Sequence, residues 1–359
     1  MRVCYIAGSF PPDKDGVGDF AWHISQILPE FEFSKLLIIL NPKVDKPEGY
    51  QIIQTNFNVN DLLPVRNKIL KFKPDIVLIE YPCKGYGRNL MINILPTLLK
   101  ISDQKITIAL NIHEYSNYTW RGKIRVAMMC LMADKVMVTD KKNLILLSKI
   151  RNNVKAILPV PPQIPLIIKQ NYDAQKPGLI FSYWGFVRPN KGLYLLIKAF
   201  KLYAMNNPLS ELWLLTELGD SDYEKEIRNY LNDDFFSERV MITGYLENDK
   251  LSQSLSNSDV CLLPFTDGIS DRRGTLKAAL AMGIPVISTY ASVANSPDGL
   301  VNKKNILLCN PKVQSIFEAM QCINKDSLRK RIGVNALSWS KQQNWLNIKE
   351  ILRKVLINS

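Results

Sequence analysis

The feature that most constrains the fold is a pattern of short apolar runs alternating with amphipathic stretches, which occurs twice along 359 residues. The runs have the length of buried strands and the stretches between them have helical spacing, so each pattern predicts a parallel sheet covered by helices. A proline-rich segment at 159–165 interrupts the pattern and is typical of a linker. A chain of this length exceeds one ordinary core, and we therefore expect two domains.

The predicted elements follow this alternation. Strands are predicted at 2–7, 36–40, 76–80, 106–111 and 135–139, and again at 179–183, 211–216, 239–243, 260–264 and 285–288. Helices are predicted at 19–28, 64–71, 90–99 and 123–132, and again at 192–204, 222–231, 249–255 and 275–282. We expect an α/β protein of two Rossmann-like, doubly wound domains, 1–170 and 171–339, facing each other across a cleft. Ligands of such sheets bind at the carboxyl ends of the strands.

Composition excludes several classes of protein. With 47% hydrophobic and 22% charged residues, the chain has the balance of a folded globular protein. Residues 1–8 lack the long apolar stretch and cleavage site of a secretory signal, and no run approaches the roughly 18 apolar residues of a membrane span. The six cysteines are scattered without metal or disulfide spacing. We expect a cytoplasmic protein with reduced thiols, either free in solution or peripheral on the inner face of the cell membrane.

The net charge of +13 calls for an anionic partner. Residues 1–178 hold 24 Lys and Arg against 15 Asp and Glu, an excess of 9, whereas 179–359 have an excess of only 4. Nucleic acid is one candidate, but no nucleic-acid-binding signature supports it. In the segment 120–132, basic residues beside a tryptophan and an apolar stripe favour an anionic membrane surface. The same stripe is equally well explained as the core face of a helix.

Two segments of the first half hold candidate site residues. Gly16, Val17 and Gly18 open a helix after the first strand, where backbone N–H groups can approach a phosphate or a sugar closely. A tight turn alone also needs glycine, so both interpretations stand. The three-glycine Rossmann spacing is not met, which disfavours a dinucleotide cofactor. His113 and Glu114 follow a predicted strand at its carboxyl end, where functional residues concentrate.

Two segments of the second half carry cations beside helix starts. The segment 181–192 reads FSYWGFVRPNKG and places Arg188 and Lys191 just before a helix, an arrangement that suits a diphosphate. The segment 264–288 reads PFTDGISDRRGTLKAALAMGIPVIS. Its loop carries Ser270, Arg272 and Arg273, and Gly274 and Thr275 then open an apolar helix, which predicts a second diphosphate-binding turn.

Together these segments resemble the retaining glycosyltransferases of family 4, which have the GT-B fold. The matching pieces are the Gly16–Gly18 turn, the His113 strand end, the GFVRPNKG loop and the ALAMGIPV join, in the same order over about residues 1–290. The loops GFxRPxKG and RRG(S/T) indicate one branch of that family.

The resemblance implies roles for the candidate residues. His113 would lie beside the transferred sugar, Lys191 would neutralise the leaving diphosphate, and the amides of Gly274 and Thr275 would cap it. Arg188 would be catalytic together with His113 and Lys191. The remaining donor-binding residues would be Gly16, Val17, Gly18, Glu114, Ser270, Arg272 and Arg273, with Tyr245 or Leu246 touching the base. The amphipathic helix within 340–359 would pack back on the first domain.

Two departures from the family pattern leave the ribose contact open. The family's two glutamates, eight positions apart, fall on Ser270 and Ala278, and its usual arginine after the loop glycine falls on Phe186. We expect a metal-independent hexosyltransferase that moves a sugar from a nucleoside diphosphate sugar to a glycan or lipid-linked glycan, with retention, in bacterial-type surface polysaccharide assembly. No cofactor is expected. The alternative is an inactive relative that binds a nucleotide sugar or a partner protein.

Overall fold

The computed structural model describes residues 1–13, 15–31, 35–42, 50–170, 172, 177–291 and 296–357, the side chain of Lys155 excepted. The chain divides into two compact units. Unit 1 comprises Met1–Val160 together with Trp345–Ser359, and unit 2 comprises Pro161–Asn344. The division therefore falls inside the proline-rich segment, which has no helix or strand. Residue 171, at which the sequence predicted the second domain to begin, lies outside the described residues.

Unit 1 is built on a parallel sheet of seven strands. The strands are β1 (Arg2–Ile6), β2 (Lys35–Leu40), β3 (Gln51–Gln54), β4 (Ile76–Tyr81), β5 (Thr107–Ile112), β6 (Lys135–Val138) and β7 (Val154–Ile157), in the order β3-β2-β1-β4-β5-β6-β7. The helices are α1 (Gly16–Ile27), α2 (Leu62–Phe72), α3 (Met91–Ser102), α4 (Trp120–Met132) and α5 (Lys141–Ser148). Side chains alternate between two apolar layers: one lies under α2, α3 and α4, and the other lies under α1.

Unit 2 repeats the design with a parallel sheet of six strands. Its strands are β8 (Ile180–Trp184), β9 (Glu211–Leu215), β10 (Val240–Ile242), β11 (Val260–Leu263), β12 (Val286–Thr289) and β13 (Leu307–Cys309), in the order β10-β9-β8-β11-β12-β13. Its helices are α6 (Leu193–Asn206), α7 (Asp222–Leu231), α8 (Asn248–Asn257), α9 (Gly274–Ala281), α10 (Val313–Cys322) and α11 (Asp326–Ser340). One continuous apolar core connects these elements.

All three strands that the sequence analysis missed, β3, β7 and β13, lie at sheet edges. An edge strand pairs on one side only and needs no continuous apolar run. β3 is four residues long with glutamine at both ends, and none of its side chains is buried. Patterning therefore finds the interior strands and one edge strand, β10, and misses the other three edges. The helices α5, α10 and α11 were missed as well. The predicted helix at 123–132 was too short, because α4 begins at Trp120.

The last helix of the chain, α12 (Trp345–Leu356), belongs to unit 1. Ile348, Leu352, Val355 and Leu356 are buried in the same apolar layer as α1. Lys135 at the start of β6 donates a hydrogen bond of 2.8 Å from Nζ to the carbonyl of Val355. The apolar side of this amphipathic helix thus covers the part of the sheet face that α1 leaves uncovered.

We expect Leu352→Ala to lower the free energy of unfolding of unit 1 by about 2–5 kcal/mol, since it removes a fully buried side chain and leaves a cavity. Leu346→Ala is the matched control, because Leu346 lies on the same helix and is 71% exposed. Its effect should stay within about 0.5 kcal/mol. Urea unfolding followed by circular dichroism measures both, and equal losses would contradict the packing of α12.

Candidate functional site

The two central strands of unit 2 place two loops side by side. Strand order runs outward from β8 to β10 on one side and then from β11 to β13 on the other. The chain therefore changes direction between β8 and β11, and the loops that follow these strands diverge there and leave a crevice. The loop after β8 carries the predicted Arg188 and Lys191. The loop after β11 carries the predicted Ser270, Arg272 and Arg273.

Two glycines allow these loops to approach each other. Gly192 has φ +71°, and a Cβ there would lie 2.0 Å from the carbonyl oxygen of Pro264. Gly185 has φ +110°, and a Cβ there would lie 3.1 Å from Thr275 Cγ2. A side chain at either position would combine left-handed backbone strain with a close contact. The glycines of the GFVRPNKG loop are thus required for its contact with the loop after β11.

A group of cations meets at this point. Phe265 lies at its centre, with Lys191 Nζ 5.1 Å and Arg273 Cζ 4.3 Å from its ring centroid. Asp267 pairs with both arginines, through Oδ2 to Arg272 at 3.2 Å and through Oδ1 to Arg273. Cation–π contact and one carboxylate offset part of the repulsion. Together with Arg188 this group, the cation cluster, holds four cationic side chains and one carboxylate.

The neighbouring charges perturb Lys191. Burial lowers the pKa of its ammonium to about 7, and Arg273 lowers it as well. Asp267 acts in the opposite direction, whereas Arg188 and Arg272 add to the lowering. Both desolvation and like charges disfavour the charged amine. An anion bound here would restore the proton to Lys191.

The start of α9 adds backbone donors to the same place. Its N-cap residue, Arg273, makes no side-chain capping hydrogen bond within the described chain. The first amides of the helix, at Gly274 and Thr275, therefore point outward at the positive end of the helix dipole. Ser270 Oγ is buried and makes no hydrogen bond to any described residue. Cations beside the first amides of a helix are the groups that phosphate-binding sites use.

A buried lysine that the sequence analysis did not single out lies next to this turn. Lys277 is fully buried on α9, with Nζ 3.5 Å from Asp271 Oδ1. Burial lowers its pKa to about 8, while Asp271 acts in the opposite direction. It directly precedes Ala278, one of the positions at which the family's glutamates are absent. Its basic character within an apolar helix was the signal that could have drawn attention to it.

The predicted base-binding residues lie farther along the sheet. Tyr245 and Leu246 follow β10, and β9 separates that edge strand from β8. Tyr245 is exposed, and Leu246 packs against the core of unit 2. The structure therefore brings Arg188, Lys191 and the predicted 270–275 residues together and places these two on a neighbouring loop.

In unit 1 the predicted glycine turn lies among carboxylates. Asp15 caps α1 and accepts a hydrogen bond of 3.2 Å from the amide of Val17, and Gly18 lies so close to Ser9 that a Cβ would be 3.0 Å from Ser9 Cβ. Burial raises the pKa of Asp19 to about 7, and Asp15 and Asp13 raise it further. A phosphate at this helix start would meet negative charge, so a neutral sugar is the better ligand.

His113 lies in a buried polar network at the carboxyl ends of β1, β4 and β5. Its Nε2 is 2.6 Å from Glu80 Oε2, and Asn111 Nδ2 donates to the same oxygen at 2.8 Å. The other oxygen, Oε1, accepts from the Tyr5 hydroxyl at 2.9 Å. Phe20 of α1 contacts the imidazole edge-on at a centroid distance of 5.2 Å. His113 is thus fixed from several directions.

The adjacent Glu114 is oriented differently. It is half-buried, and its Oε1 accepts a hydrogen bond of 3.1 Å from Asn117 in the loop before α4. One hydrogen bond of Glu114 is thus to a loop residue, and the carboxylate in contact with His113 Nε2 is that of Glu80. The sequence analysis missed Glu80, although a carboxylate at the end of the apolar run IVLIEY was a signal for it.

The described residues lack two other features. No three His, Cys, Asp or Glu side chains there are grouped so as to hold a metal ion. Nor does any helix of this part of the chain have the length and apolar character needed to cross a bilayer.

Comparison with known proteins gives the class of fold. Residues 178–326, within unit 2, match the family model described as "Glycosyl transferases group 1". No curated protein sequence matches the chain. Among solved structures, sucrose-phosphate synthase from Thermosynechococcus elongatus is similar with a TM-score of 0.76 at 15% identity, over 100% of both chains. Together with the two parallel α/β units, this likeness identifies the fold as GT-B.

Two further structures describe particular relatives of this fold. The Anabaena protein HepE, crystallised with UDP and glucose, has a TM-score of 0.76 at 15% identity over 100% of both chains. The lipopolysaccharide outer core galactosyltransferase WaaB has a TM-score of 0.74 at 14% identity, over 100% of this chain and 99% of its own.

Anion binding at the cation cluster should depend on pH through Lys191. A bound anion favours the ammonium, so binding takes up a proton wherever free Lys191 is partly neutral. We expect the affinity for sulfate, which does not itself titrate, to fall as pH rises from about 6 to about 8. Thermal shifts at constant ionic strength measure it. In Lys191→Met the affinity should be lower and nearly independent of pH, and a wild-type affinity that rises with pH would contradict the assignment.

Proposed function

We propose that this protein is a glycosyltransferase that moves a hexose from a nucleoside diphosphate sugar to a glycan or lipid-linked glycan. The observation that carries the proposal is the cation cluster beside the uncapped start of α9. Such a construction suits a diphosphate because fixed cations and backbone amides both point at negative charge. The family match over 178–326 supports the same activity, since that segment contains every residue of the cluster.

The cation cluster would act on the leaving group. As the sugar departs, negative charge grows on the diphosphate, and preorganised donors stabilise that charge more than they stabilise the bound substrate. Lys191, Arg188 and Arg272 supply the charge, and the amides of Gly274 and Thr275 supply dipoles. This device needs no metal ion, so we propose metal-independent transfer.

The sugar and acceptor side is assigned to unit 1. His113, Glu114 and the Gly16–Gly18 turn would contact sugar hydroxyls, for which the carboxylate-rich start of α1 is suited. The resemblance to family 4 supports retention of configuration, and we assign neither Glu80 nor Glu114 as a nucleophile. A product in bacterial-type surface polysaccharide is proposed on the same resemblance.

We propose that the ribose is held by other groups than the glutamates of the family pattern. Ser270 and Ala278 occupy the positions of the two glutamates, so neither carboxylate can hold the ribose. Tyr245 and Leu246 remain the candidates for the base. Because HepE was crystallised with UDP and with UDP-glucose, uridine nucleotides are the first donors to test.

The proposal predicts that one nucleoside diphosphate raises the melting temperature of the wild type, since a ligand of the native state stabilises it by mass action. A panel of UDP, GDP, ADP and TDP, each with and without magnesium, names the donor class. Lys191→Ala should lose the response. Lys225→Ala is the matched control, because Lys225 is an exposed lysine on α7 of the same unit, and it should keep the response.

Hydrolysis or transfer from the matching nucleotide sugar then separates an enzyme from an inactive binder. Stabilisation without any turnover would favour the inactive relative. A panel in which no diphosphate stabilises the protein at millimolar concentration would overturn the proposal.

The acceptor is proposed to be held at an anionic membrane surface. The helices α2, α3 and α4 cover one face of unit 1, each contacting the next. These three helices contain no Asp or Glu; their cations are Arg66, Lys68, Lys71, Lys100, Arg121, Lys123 and Arg125. Lys100 is paired with Asp134 at 2.7 Å. For the other cations, attraction to anionic lipid contributes about 1 kcal/mol for each Lys or Arg near the surface.

Helix α4 has both a core face and a separate exposed apolar row, which correspond to the two interpretations of its apolar stripe. Val126, Met129 and Cys130 are buried and form its core face. A second row, which we call the α4 stripe, is exposed and consists of Trp120, Ile124, Met128 and Leu131. Arg121 lies 5.2 Å from the Trp120 ring centroid, at the edge of this row. An exposed apolar row bordered by cations is typical of a helix that lies on a membrane surface.

We expect the wild type to float with vesicles of phosphatidylcholine and phosphatidylglycerol, and not with phosphatidylcholine alone. Arg121→Gln with Arg125→Gln should weaken flotation by removing charge, and Trp120→Ser with Met128→Ser should weaken it by removing apolar contact. Met205→Ser is the control, because Met205 is 66% exposed on α6 in unit 2. Equal binding to neutral vesicles, or none to anionic ones, would contradict the docking surface.

A further inference from the structure

We propose that Glu80 is a positioning residue that holds His113 in the tautomer with its proton on Nε2 and leaves Nδ1 as an acceptor for a sugar hydroxyl. The tautomer follows from contacts within unit 1. The identity of the hydroxyl rests on the proposed function.

The Glu80 carboxylate is enclosed by hydrogen-bond donors. Its side chain is 1% exposed, at the carboxyl end of the central strand β4. Oε1 accepts from the Tyr5 hydroxyl at 2.9 Å, and Oε2 accepts from Asn111 Nδ2 at 2.8 Å. His113 Nε2 lies 2.6 Å from Oε2. A buried carboxylate needs such donors, because without them its burial costs several kcal/mol.

The partners of Glu80 identify it as the acceptor. Burial raises the pKa of the Tyr5 hydroxyl, and the Glu80 charge raises it further, so the hydroxyl keeps its proton. The Asn111 amide faces Glu80 with its NH₂ group, since the opposite orientation would put Oδ1 against a carboxylate oxygen. Because Tyr5 and Asn111 both donate to the Glu80 carboxyl group, we assign the short contact to His113 as a donation from Nε2–H.

The backbone and a ring neighbour fix the position of the imidazole. The amide of His113 donates to the Tyr81 carbonyl at 2.7 Å, and Thr139 Oγ1 donates to the His113 carbonyl at 3.0 Å. Phe20 packs edge-on against the ring. These contacts place the ring but leave the choice of tautomer to Glu80.

The consequence concerns the chemistry that His113 can perform. A neutral imidazole has one donor and one acceptor nitrogen. With Nε2 committed to Glu80, Nδ1 is the ring atom left for a ligand, and in this tautomer it accepts. Hydroxyls of a sugar are donors of the right kind, whereas a phosphate oxygen would be repelled. His113 thus selects a neutral sugar group.

The tautomer can be observed without any substrate. The chain has two histidines, so His23→Gln leaves His113 as the single imidazole. We expect ¹⁵N-detected NMR of this variant at about pH 8 to show a protonated Nε2 and an unprotonated Nδ1. The spectrum of the wild type, with His23 assigned by difference, gives the same readout if the variant is unstable. A ring protonated at Nδ1, alone or together with Nε2, would overturn the proposal.

Two matched variants test the role of Glu80. Glu80→Gln keeps the shape but offers His113 both a donor and an acceptor, so the single tautomer should become a mixture. Tyr5→Phe removes one hydrogen bond from the same carboxylate, keeps the His113 contact and should keep the tautomer. We expect Glu80→Gln to lower kcat roughly 10- to 100-fold, as for other partners that orient an imidazole, with a smaller change in KM.

The outcomes separate this inference from the proposed function. An unchanged tautomer in Glu80→Gln would overturn the positioning role, whatever the activity. The expected tautomer in a protein with no transferase activity would leave the positioning role intact and remove the proposed function.

Discussion

The structure depends on one constraint of sheet topology. In each sheet the order of strands reverses at one point, between β1 and β4 in unit 1 and between β8 and β11 in unit 2. At each of these points two loops leave the sheet in opposite directions and their side chains meet beyond the strand ends. The GFVRPNKG loop and the turn before α9 meet at one such point because Gly185 and Gly192 allow their backbones to touch. The polar network around His113 forms at the other.

The cation cluster stores electrostatic repulsion that a ligand can relieve. Asp267 pairs with Arg272 and Arg273, and Phe265 contacts Lys191 and Arg273. Burial is the main cause of the lowered pKa of Lys191, and the neighbouring arginines add to it. Arg188 remains exposed, so solvent screens part of its charge. A diphosphate would add negative charge beside these cations, and under the proposed function charge would grow at the same place during transfer.

Sequence patterns predicted the parts of this protein that depend on local chemistry. The interior strands follow from their apolar runs, and the close approach of the two loops that carry Arg188, Lys191 and the 270–275 residues follows from glycines beside helix starts. The edge strand β3 was missed because pairing on one side demands no apolar run, whereas β7 and β13 are short segments of four and three residues. Glu80 was missed for another reason: its role depends on Tyr5 and Asn111, which reach the same face of the sheet from separate strands. Such a network is invisible until strand order is known.

In both units a helix begins beside charged side chains, and the sign of that charge differs between the units. In unit 2 the start of α9 is surrounded by arginines, whereas in unit 1 the start of α1 is capped by Asp15 and followed by Asp19. A helix N-terminus attracts anions only while no carboxylate already occupies it. The carboxylates therefore remove phosphate affinity from α1 and leave hydrogen-bonding groups that suit hydroxyls. This difference in sign is the physical ground for proposing unit 2 as the site of the diphosphate and the His113 network as the site of uncharged sugar groups.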